Sequence, residues 1–416
     1  MIDVVIVGGG PNGLLLACEP ALGGVRPVVL ERRTEPDPEP RSNGLLGQVV
    51  RMVDRRGLFE RLSGRPGPPR PNRGYHVFAG LPLDLGLLAD SPVHTLPVPE
   101  AETVRVLAAR ADEFGVDLRR GHELRGLAQD PDGVTLTVDG PDGSYELRAR
   151  YAVGADGAHS PVRKAAGIGF PGVSQDRTTT RTAHVTVPAD RLDPATGALL
   201  VPDHGPVLPF LPVRTATGGF SYAPLPGGPP LVATAEWDQP ATDEPMSLDE
   251  AERRPVADRT VTYSQAQAAL LAPGDDVTGL RALFGELLAQ PGVVRTVADL
   301  VAGADTRYPV ADDAHPLAGW PAPDLDLRAP DGVVRLAELV RRARPLLIDL
   351  TPDGGLRLDG VESHYVDVVR AEADTDATAL LLRPDSYVAW ASSDPHPDRE
   401  ALRAAAERWF GGPVDA

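Results

Sequence analysis

The sequence predicts a multidomain chain of mixed α/β and α+β class that begins with a Rossmann-like, dinucleotide-binding unit. Its 416 residues exceed the roughly 150 residues of a typical domain. A strand of buried type runs directly into a glycine-rich turn near the amino terminus. Hydrophobic residues make up 42% and charged residues 24% of the chain, which is the balance of a protein that buries large cores.

The first predicted strand covers residues 3–7, and a G-x-G-x-x-G pattern follows it at Gly8, Gly10 and Gly13. Such glycines make a tight turn, allow the backbone to approach a pyrophosphate, and let the next helix pack closely against the strand. The amino-terminal amides of that helix point at the phosphate. Pro20 should kink or shorten the helix, because proline removes a backbone donor.

The second predicted strand covers residues 27–30 and ends at Glu31, whose carboxylate can accept hydrogen bonds from ribose hydroxyls. A glycine pattern alone is a weak signal in a chain with 43 glycines. Strand, glycines, helix, strand and acid within about 30 residues are far more specific. Together they predict a dinucleotide site at the carboxyl ends of these two strands.

Charge and cysteine content exclude several kinds of function. The chain has 41 Lys and Arg against 59 Asp and Glu, and a net charge of −18 repels nucleic acid and anionic lipid. The single cysteine, Cys18, excludes an internal disulfide, a CxxC pair and a cysteine zinc site. The nine histidines show no H-x-x-x-H spacing, so no metal site is predicted. With no signal peptide and no apolar stretch of about 18 residues, we expect a cytoplasmic protein.

With the segments that follow, the chain resembles the flavin-dependent aromatic hydroxylases of the p-hydroxybenzoate hydroxylase class. Within that class it is most similar to the aromatic-polyketide hydroxylases of antibiotic biosynthesis. The stretches that carry the resemblance are ERRTEPDPEPRSNGLL (31–46), RMVDRRGLFERL (51–62), VRVLAARADEFGVDLRRGHEL (104–124) and YAVGADGAHSPVRKAAGI (151–168). The resemblance implies FAD and NADPH as cofactors and a small aromatic polyketide as substrate.

The resemblance also implies which residues hold the cofactors. Arg41 would reach the FAD pyrophosphate, and the Asp-Gly motif at Asp156 and Gly157 would touch both FAD and the passing NADPH. His159 lies inside the same motif, where an imidazole can serve as an acid or base; a solvated loop histidine is the alternative interpretation. The full set of expected cofactor-binding residues is Gly8, Gly10, Gly13, Glu31, Arg32, Arg41, Asp156 and Gly157.

The remaining segments are similar to a substrate-covering sheet and a thioredoxin-like tail. Phe220, Tyr222 and Trp237 would form a stacking wall for a polycyclic aromatic substrate, although core packing is the alternative role for the same rings. The tail contains a predicted strand at 346–350 and a predicted terminal helix at 399–410. Without a CxxC pair, this tail cannot exchange disulfides.

These assignments give four expected parts. They are an incomplete dinucleotide-binding domain (1–70 and 104–172), a β-sheet substrate domain (71–103 and 173–250), a helical connector (251–305) and a thioredoxin-like domain (306–416).

One motif of the family is missing from the sequence. Members carry G-D-A-A-H-x-x-x-P-x-G-G-x-G-x-N at the flavin ring, after a buried strand and at the start of a long helix. The nearest match, ADDAHP at 311–316, lacks the leading glycine and the glycine-rich helix start. Where members usually have Gln and Arg before the helix at residue 104, this chain has Glu100 and Glu102, which would repel a pyrophosphate. These differences predict that the flavin-ring half of the site has been lost.

Three functional hypotheses follow. The first is an aromatic-polyketide tailoring protein that performs a flavin-independent cyclisation or proton transfer on a polycyclic substrate. The second is a working FAD- and NADPH-dependent aromatic hydroxylase whose ring site is built from other segments. The third is a non-catalytic partner that forms a complex with an active hydroxylase; a homodimer is a further expectation.

Overall fold

The computed structural model describes residues 1–36, 42–170, 178–201, 205–214, 218–224, 229–237, 266–267, 269–272, 274–311, 314–329, 332–356 and 366–410, with the backbone alone at 178–181 and 236–237. Among these residues, none of the helices has the length and apolar character needed to cross a bilayer.

The strands and helices alternate along the chain. The strands of the amino-terminal half are β1 (Ile2–Val7), β2 (Val28–Glu31), β3 (Gly44–Leu46), β4 (Tyr75–Phe78), β5 (Leu81–Asp84), β6 (Thr95–Pro97), β7 (Asp117–Arg120), β8 (Glu123–Asp130), β9 (Gly133–Gly140) and β10 (Gly143–Gly154). Those of the second half are β11 (Thr178–His184), β12 (Leu199–Val201), β13 (Gly205–Val207), β14 (Val213–Arg214), β15 (Gly218–Ala223), β16 (Leu231–Trp237), β17 (Asp326–Ala329), β18 (Gly332–Arg335), β19 (Leu346–Asp349), β20 (Asp367–Arg370), β21 (Ala379–Leu382) and β22 (Val388–Ser392). The helices are α1 (Pro11–Leu22), α2 (Gln48–Arg55), α3 (Phe59–Ser63), α4 (Glu100–Glu113), α5 (Pro161–Ala165), α6 (Asp275–Leu287), α7 (Pro291–Ala302), α8 (Leu336–Leu339) and α9 (Arg399–Phe410).

The largest sheet has the strand order β7-β2-β1-β10-β9-β8. Strands β7, β2, β1 and β10 are parallel, whereas β10, β9 and β8 form an antiparallel meander. The chain therefore starts as the Rossmann-like unit that the glycine pattern predicts. Helix α1 continues to Leu22, two residues beyond Pro20, so the proline lies in its last turn.

Side chains alternate across β1 and build a core on each face of the sheet. Val5 and Val7 pack against meander residues such as Leu136. Ile6 packs against Ala17 of α1 in a second cluster, which also includes Ala111 of α4. Because both faces are covered, β1 reads as a continuous apolar run in the sequence.

Strand β10 joins the two halves of this sheet, and its outer edge is only partly covered. On one side it pairs with β1 up to Gly154. On the other side its pairing with β9 ends at Ala149, where a Cβ on Gly133 would lie 2.4 Å from the Ala149 oxygen. Among the described residues, no strand pairs with the outer edge of residues 150–154. Tyr151 on this stretch is 65% exposed.

Two smaller units occupy the middle of the chain. Strands β11, β16, β15 and β14 form an antiparallel sheet in that order. The β4–β5 hairpin packs against α6 and α7, with Phe78 and Leu83 in one core cluster with Val294 and Ala298. Arg281 of α6 donates to the carbonyl of Ala79 in the hairpin turn at 2.6 Å.

The carboxy-terminal unit contains a mixed sheet in the order β20-β19-β21-β22. Strand β19 runs parallel to β20 and antiparallel to β21, and α9 packs on β22. The bounds of α9 agree with the predicted terminal helix. As a whole, the mixed α/β multidomain class that the sequence predicts is confirmed.

Candidate functional site

The loops after β1, β2 and β10 meet at the carboxyl edge of the parallel strands. The Gly8 amide donates to the Leu30 carbonyl at 2.7 Å, and the Ala155 amide donates to the Val7 carbonyl at 2.7 Å. These bonds hold the three loops side by side. Ligands of open α/β sheets bind at this edge, where the chain order changes direction.

Gly8 and Gly13 are glycines because the backbone is packed tightly around them. A Cβ on Gly8 would lie 2.3 Å from the Ala155 oxygen, and the residue has φ of +111°. A Cβ on Gly13 would lie 1.9 Å from the Gly8 oxygen. These two glycines therefore allow the loop contact and the close approach of α1 to β1.

Gly10 differs from the other two because a Cβ there would meet no atom of the described residues within 4 Å. The residue is the N-cap of α1, with φ of −76° and no side chain capping the helix. Pro11 follows at the first helical position, and the first turn has no acidic residue. With no capping side chain and no acid in its first turn, the start of α1 keeps unpaired amides and the positive end of the helix dipole, which fits a phosphate group.

Glu31 lies at the end of β2, beside the glycine loop. Its Oε2 accepts a hydrogen bond from the Gly9 amide at 2.7 Å, and its Oε1 accepts one from the Arg33 amide at 2.8 Å. A carboxylate has about four lone-pair directions, so each oxygen can still accept from a ribose hydroxyl. Glu31 therefore fixes the loop and presents acceptors next to it.

The Asp-Gly motif forms the third loop and is folded onto α5. Asp156 accepts from the Val162 amide at 3.0 Å, and Ser160 caps α5 by accepting from the Arg163 amide at 2.9 Å. Gly157 has φ of +82°, a conformation that L side chains rarely adopt. His159 is exposed on this loop.

The structure thus brings the loops that contain Gly8, Gly10, Gly13, Glu31, Asp156 and Gly157 together at one edge of the sheet. That these residues bind a nucleotide stays a prediction. Arg32 follows Glu31 and is exposed. Arg41 lies outside the described residues.

Glu100 and Glu102 are in the first turn of α4, where carboxylates interact favourably with the helix dipole. The Glu100 amide donates to the Ser42 carbonyl at 3.0 Å, so this turn lies against the segment that follows Arg41. Glu102 pairs with Arg105 at 2.6 Å, and that hydrogen bond lowers the pKa of Glu102. The ion pair offsets part of the repulsion that the sequence predicts for this carboxylate.

The three aromatic residues expected to form a substrate wall are not equivalent. Tyr222 is only 2% exposed, whereas Phe220 is half-buried on the same face of β15. Strand pairing places Phe220 opposite Thr234 and Tyr222 opposite Val232, so position 237 falls on the other face by strand alternation. The register therefore separates position 237 from the Phe220–Tyr222 pair.

Thiol and metal chemistry find little support in the described part of the chain. Burial raises the pKa of the Cys18 thiol to about 11, so it carries almost no thiolate at neutral pH. The described residues contain no group of three His, Cys, Asp or Glu side chains arranged to hold a metal ion.

His122 lies next to Glu31, although no sequence pattern predicted this contact. The His122 amide donates to the Glu31 carbonyl at 2.9 Å, and the His122 ring lies 2.8 Å from the Tyr145 hydroxyl. His122 follows β7, and Tyr145 lies on β10. Only strand order brings them to Glu31, so no local spacing could have indicated the contact.

Comparison with known proteins gives two family matches. An FAD binding domain matches residues 1–268, and the C-terminal domain of aromatic-ring hydroxylases matches residues 315–413. The second match begins within ADDAHP, which supports excluding that segment as the flavin-ring motif.

Individual relatives cover almost the whole chain. A 12-dehydrotetracycline 5-monooxygenase/anhydrotetracycline 6-monooxygenase from Streptomyces rimosus subsp. rimosus is 34% identical over 99% of both proteins. A dialkyldecalin synthase from Streptomyces rugosporus is 30% identical over 98% of both. The crystal structure of an aromatic hydroxylase from angucycline biosynthesis superposes with a TM-score of 0.85 at 28% identity, covering 99% of this chain and 100% of that one.

The alignment with the tetracycline-pathway relative is longer than this chain. It spans 503 positions, whereas the chain has 416 residues. The difference, 503 − 416, leaves at least 87 alignment positions that this chain does not fill.

Proposed function

The chain belongs to the family of FAD-binding aromatic-ring hydroxylases, and from this membership we propose that it is an aromatic-polyketide tailoring protein that works without flavin hydroxylation. In this proposal it holds the adenosine end of the nucleotide. Its reaction is a cyclisation or proton transfer on a polycyclic substrate.

The observation that carries the proposal is the outer edge of β10 at residues 150–154, with which no strand of the described part of the chain pairs. Unpaired N–H and C=O groups at a sheet edge are normally covered or paired. In the family, a buried strand leads into the motif at the flavin ring, and this chain skips at least 87 positions of a full-length relative (503 − 416). A lost strand and ring motif account both for the lack of a described strand beside residues 150–154 and for the exposure of Tyr151.

The residues present fit the adenosine diphosphate end of FAD. The amides at the start of α1 would hold the pyrophosphate in the space in front of Gly10, and Glu31 would accept from the ribose. Asp156 would keep the adjoining loop in place through its bond to Val162. Bound FAD, reduced by NADPH, supplies oxygen activation in this family; the described residues include no counterpart of the motif that holds its ring.

The dialkyldecalin synthase relative supports the choice of reaction class. Its name describes ring formation rather than hydroxylation, and it is similar to this chain over 98% of its length. A ring-forming step needs a substrate held in a reactive conformation and shielded from water, which binding residues alone can provide.

A working FAD- and NADPH-dependent hydroxylase is the second candidate. The loop contacts at Gly8, Glu31 and Asp156 are compatible with it, since an adenosine diphosphate group could bind beside them. The FAD binding domain match over residues 1–268 favours it too.

Comparing the affinities of FAD and ADP-ribose separates the two candidates, because the two ligands share the adenosine diphosphate end and only FAD has the ring. If the ring site is lost, FAD binds within about threefold of ADP-ribose, and the flavin absorption band does not shift. FAD binding at least about 100-fold tighter, with substrate-dependent NADPH oxidation, would instead establish the hydroxylase.

The control for this experiment is Gly10→Ala, which narrows the space in front of α1. It should lower the affinities for FAD and for ADP-ribose by the same factor. Tight FAD binding that appears only when an active hydroxylase is added would contradict the proposal. It would indicate a non-catalytic partner.

A further inference from the structure

A cavity of about 430 Å³ lies in the carboxy-terminal unit, between α9, β22 and the described residues 310–311 and 314–318. Its volume is in the range of small-molecule pockets. Much of its wall consists of alanines, so we call it the alanine cavity. Those contributed by β22 and α9 are Ala389, Ala391, Ala401, Ala404 and Ala405. Because a methyl group occupies little space, the packing of α9 on β22 leaves this volume open.

Two indole rings complete the apolar wall, and one of them is held firmly. Trp390 and Trp409 both line the cavity. The Arg383 guanidinium stacks on Trp409 at 4.3 Å and on Tyr308 at 4.1 Å, and Arg383 also pairs with Asp385 at 2.9 Å. The stack keeps the Trp409 ring in position, which makes the wall flat and rigid rather than adaptable.

A positively charged side chain also lines the alanine cavity. Arg408 lines it and donates to the Pro309 carbonyl at 3.1 Å. A guanidinium has five N–H donors, and the bond to Pro309 engages one of its nitrogens. Arg408 can therefore also donate to an acidic group on a ligand in the cavity.

His315, which also lines the cavity, is held as a neutral ring. Its Nδ1 accepts from the Leu317 amide at 3.1 Å, so the proton is on Nε2, which lies 2.9 Å from the Ser393 hydroxyl oxygen. Burial lowers the pKa of His315, in agreement with the neutral form. A ring that donates to Ser393 cannot act as its base, so this pair does not form an activated nucleophile.

We propose that the alanine cavity is a binding site for a planar aromatic carboxylate. The alanines and the two indoles suit a flat ring system, and Arg408 suits its carboxylate. The site is separate from the nucleotide loops, which lie at the carboxyl ends of β1, β2 and β10. It gives a ligand-binding role to a unit that contains no cysteine and so cannot exchange disulfides.

The probe for this site is anthracene-2-carboxylate, with the neutral anthracene-2-carboxamide for comparison, in equilibrium dialysis with the full chain. The carboxylate should bind at least about fivefold more tightly than the amide. Ala404→Phe fills the cavity and should weaken the carboxylate at least about tenfold. Glu407→Phe adds the same ring at an exposed position of α9 outside the cavity lining and should change the affinity by less than about twofold.

Arg408→Gln keeps a donor but removes the charge, so the preference for carboxylate over amide should disappear. ADP-ribose should not displace the probe, and Gly10→Ala should bind it normally. The proposal is overturned if the probe fails to bind or ADP-ribose displaces it. Equal affinities of Ala404→Phe and Glu407→Phe for the carboxylate probe would overturn it as well. So would an unchanged preference of Arg408→Gln for the carboxylate over the amide.

Discussion

At the scale of single residues, Gly8 and Gly10 have the same place in a sequence motif but different physical surroundings. Gly8 is enclosed by backbone, whereas Gly10 faces open space. A glycine of the first kind supports the fold, and one of the second kind leaves room for a ligand. Substitution can separate these two roles.

Gly8→Ala should destabilise the protein by about 3 kcal/mol or more, because its Cβ meets backbone and its φ is strained. Gly10→Ala should lower the free energy of unfolding by at most about 1 kcal/mol, because alanine is a poorer N-cap residue than glycine. The same substitution should lower the affinity for ADP-ribose about tenfold. Urea denaturation and ADP-ribose titration measure the two effects. Normal ADP-ribose binding by Gly10→Ala would show that the phosphate does not lie in front of this residue.

At the scale of secondary-structure elements, β10 is the most informative strand. Its register with β1 puts Tyr151 beside Val4 and Val153 beside Ile6, on the face that carries α1. Val153 contacts the core cluster, whereas Tyr151 is exposed. Neighbouring positions on one face of one strand thus differ in exposure, in the part of β10 with which no described strand pairs on the outer side.

Tyr151→Lys should change the free energy of unfolding by less than about 0.5 kcal/mol, since an exposed side chain is replaced by a soluble one. The same substitution should reduce aggregation, because lysine protects an open edge. Val153→Lys, the matched control, should cost about 2 kcal/mol or more by placing a charge against the core. A large loss in Tyr151→Lys would mean that another segment covers this edge.

The β4–β5 hairpin should make stability depend on pH. Burial lowers the pKa of His76 from its ordinary value of 6.5, so the unfolded chain binds a proton more readily there than the folded chain. The stability from neutral His76 is complete above pH 6.5 and is lost as the pH falls through the lower folded pKa. The slope from this one group cannot exceed about 1.4 kcal/mol per pH unit.

Thermal unfolding between pH 7 and pH 5 tests this expectation. His76→Gln should flatten the fall in stability on the acid side. His159→Gln, which removes an exposed histidine, should leave the slope as it is. If both variants behave alike, His76 is not the titrating group.

At the scale of the whole molecule, arginines of α2 and the residue after it join the amino-terminal and carboxy-terminal units. Arg55 donates to the Ala322 carbonyl at 2.8 Å, and Arg56 donates to the carbonyls of Val340 and Pro384. Arg56 also forms a two-bond pair with Glu19, with both distances 2.8 Å. These bonds are largely buried, where an unpaired polar group is costly.

Arg56→Ala should destabilise the protein by about 3 kcal/mol and separate the unfolding of the two units, because it leaves Glu19 and two carbonyls without this partner. Tryptophan fluorescence follows the carboxy-terminal unit, which holds Trp320, Trp390 and Trp409 of the four tryptophans. Far-ultraviolet circular dichroism follows the whole chain. Arg105→Ala, which removes an exposed ion pair, should cost less than about 1 kcal/mol. Coincident transitions for Arg56→Ala would show that the units remain coupled without it.

The sequence by itself determined the Rossmann-like start, the grouping of the glycines with Glu31, and the helix at 399–410, whereas the Asp-Gly loop was placed near them only by the resemblance to the family. These features depend on local spacing, since a strand, a turn and a helix within a few dozen residues leave a readable pattern. The tertiary structure alone decided which glycine is steric and which is open, where β10 loses its neighbour, and on which face residues 220, 222 and 237 lie. It also decided that alanines of α9 and β22 line a cavity. Each of these depends on contacts between distant segments, whose register and packing no local pattern encodes.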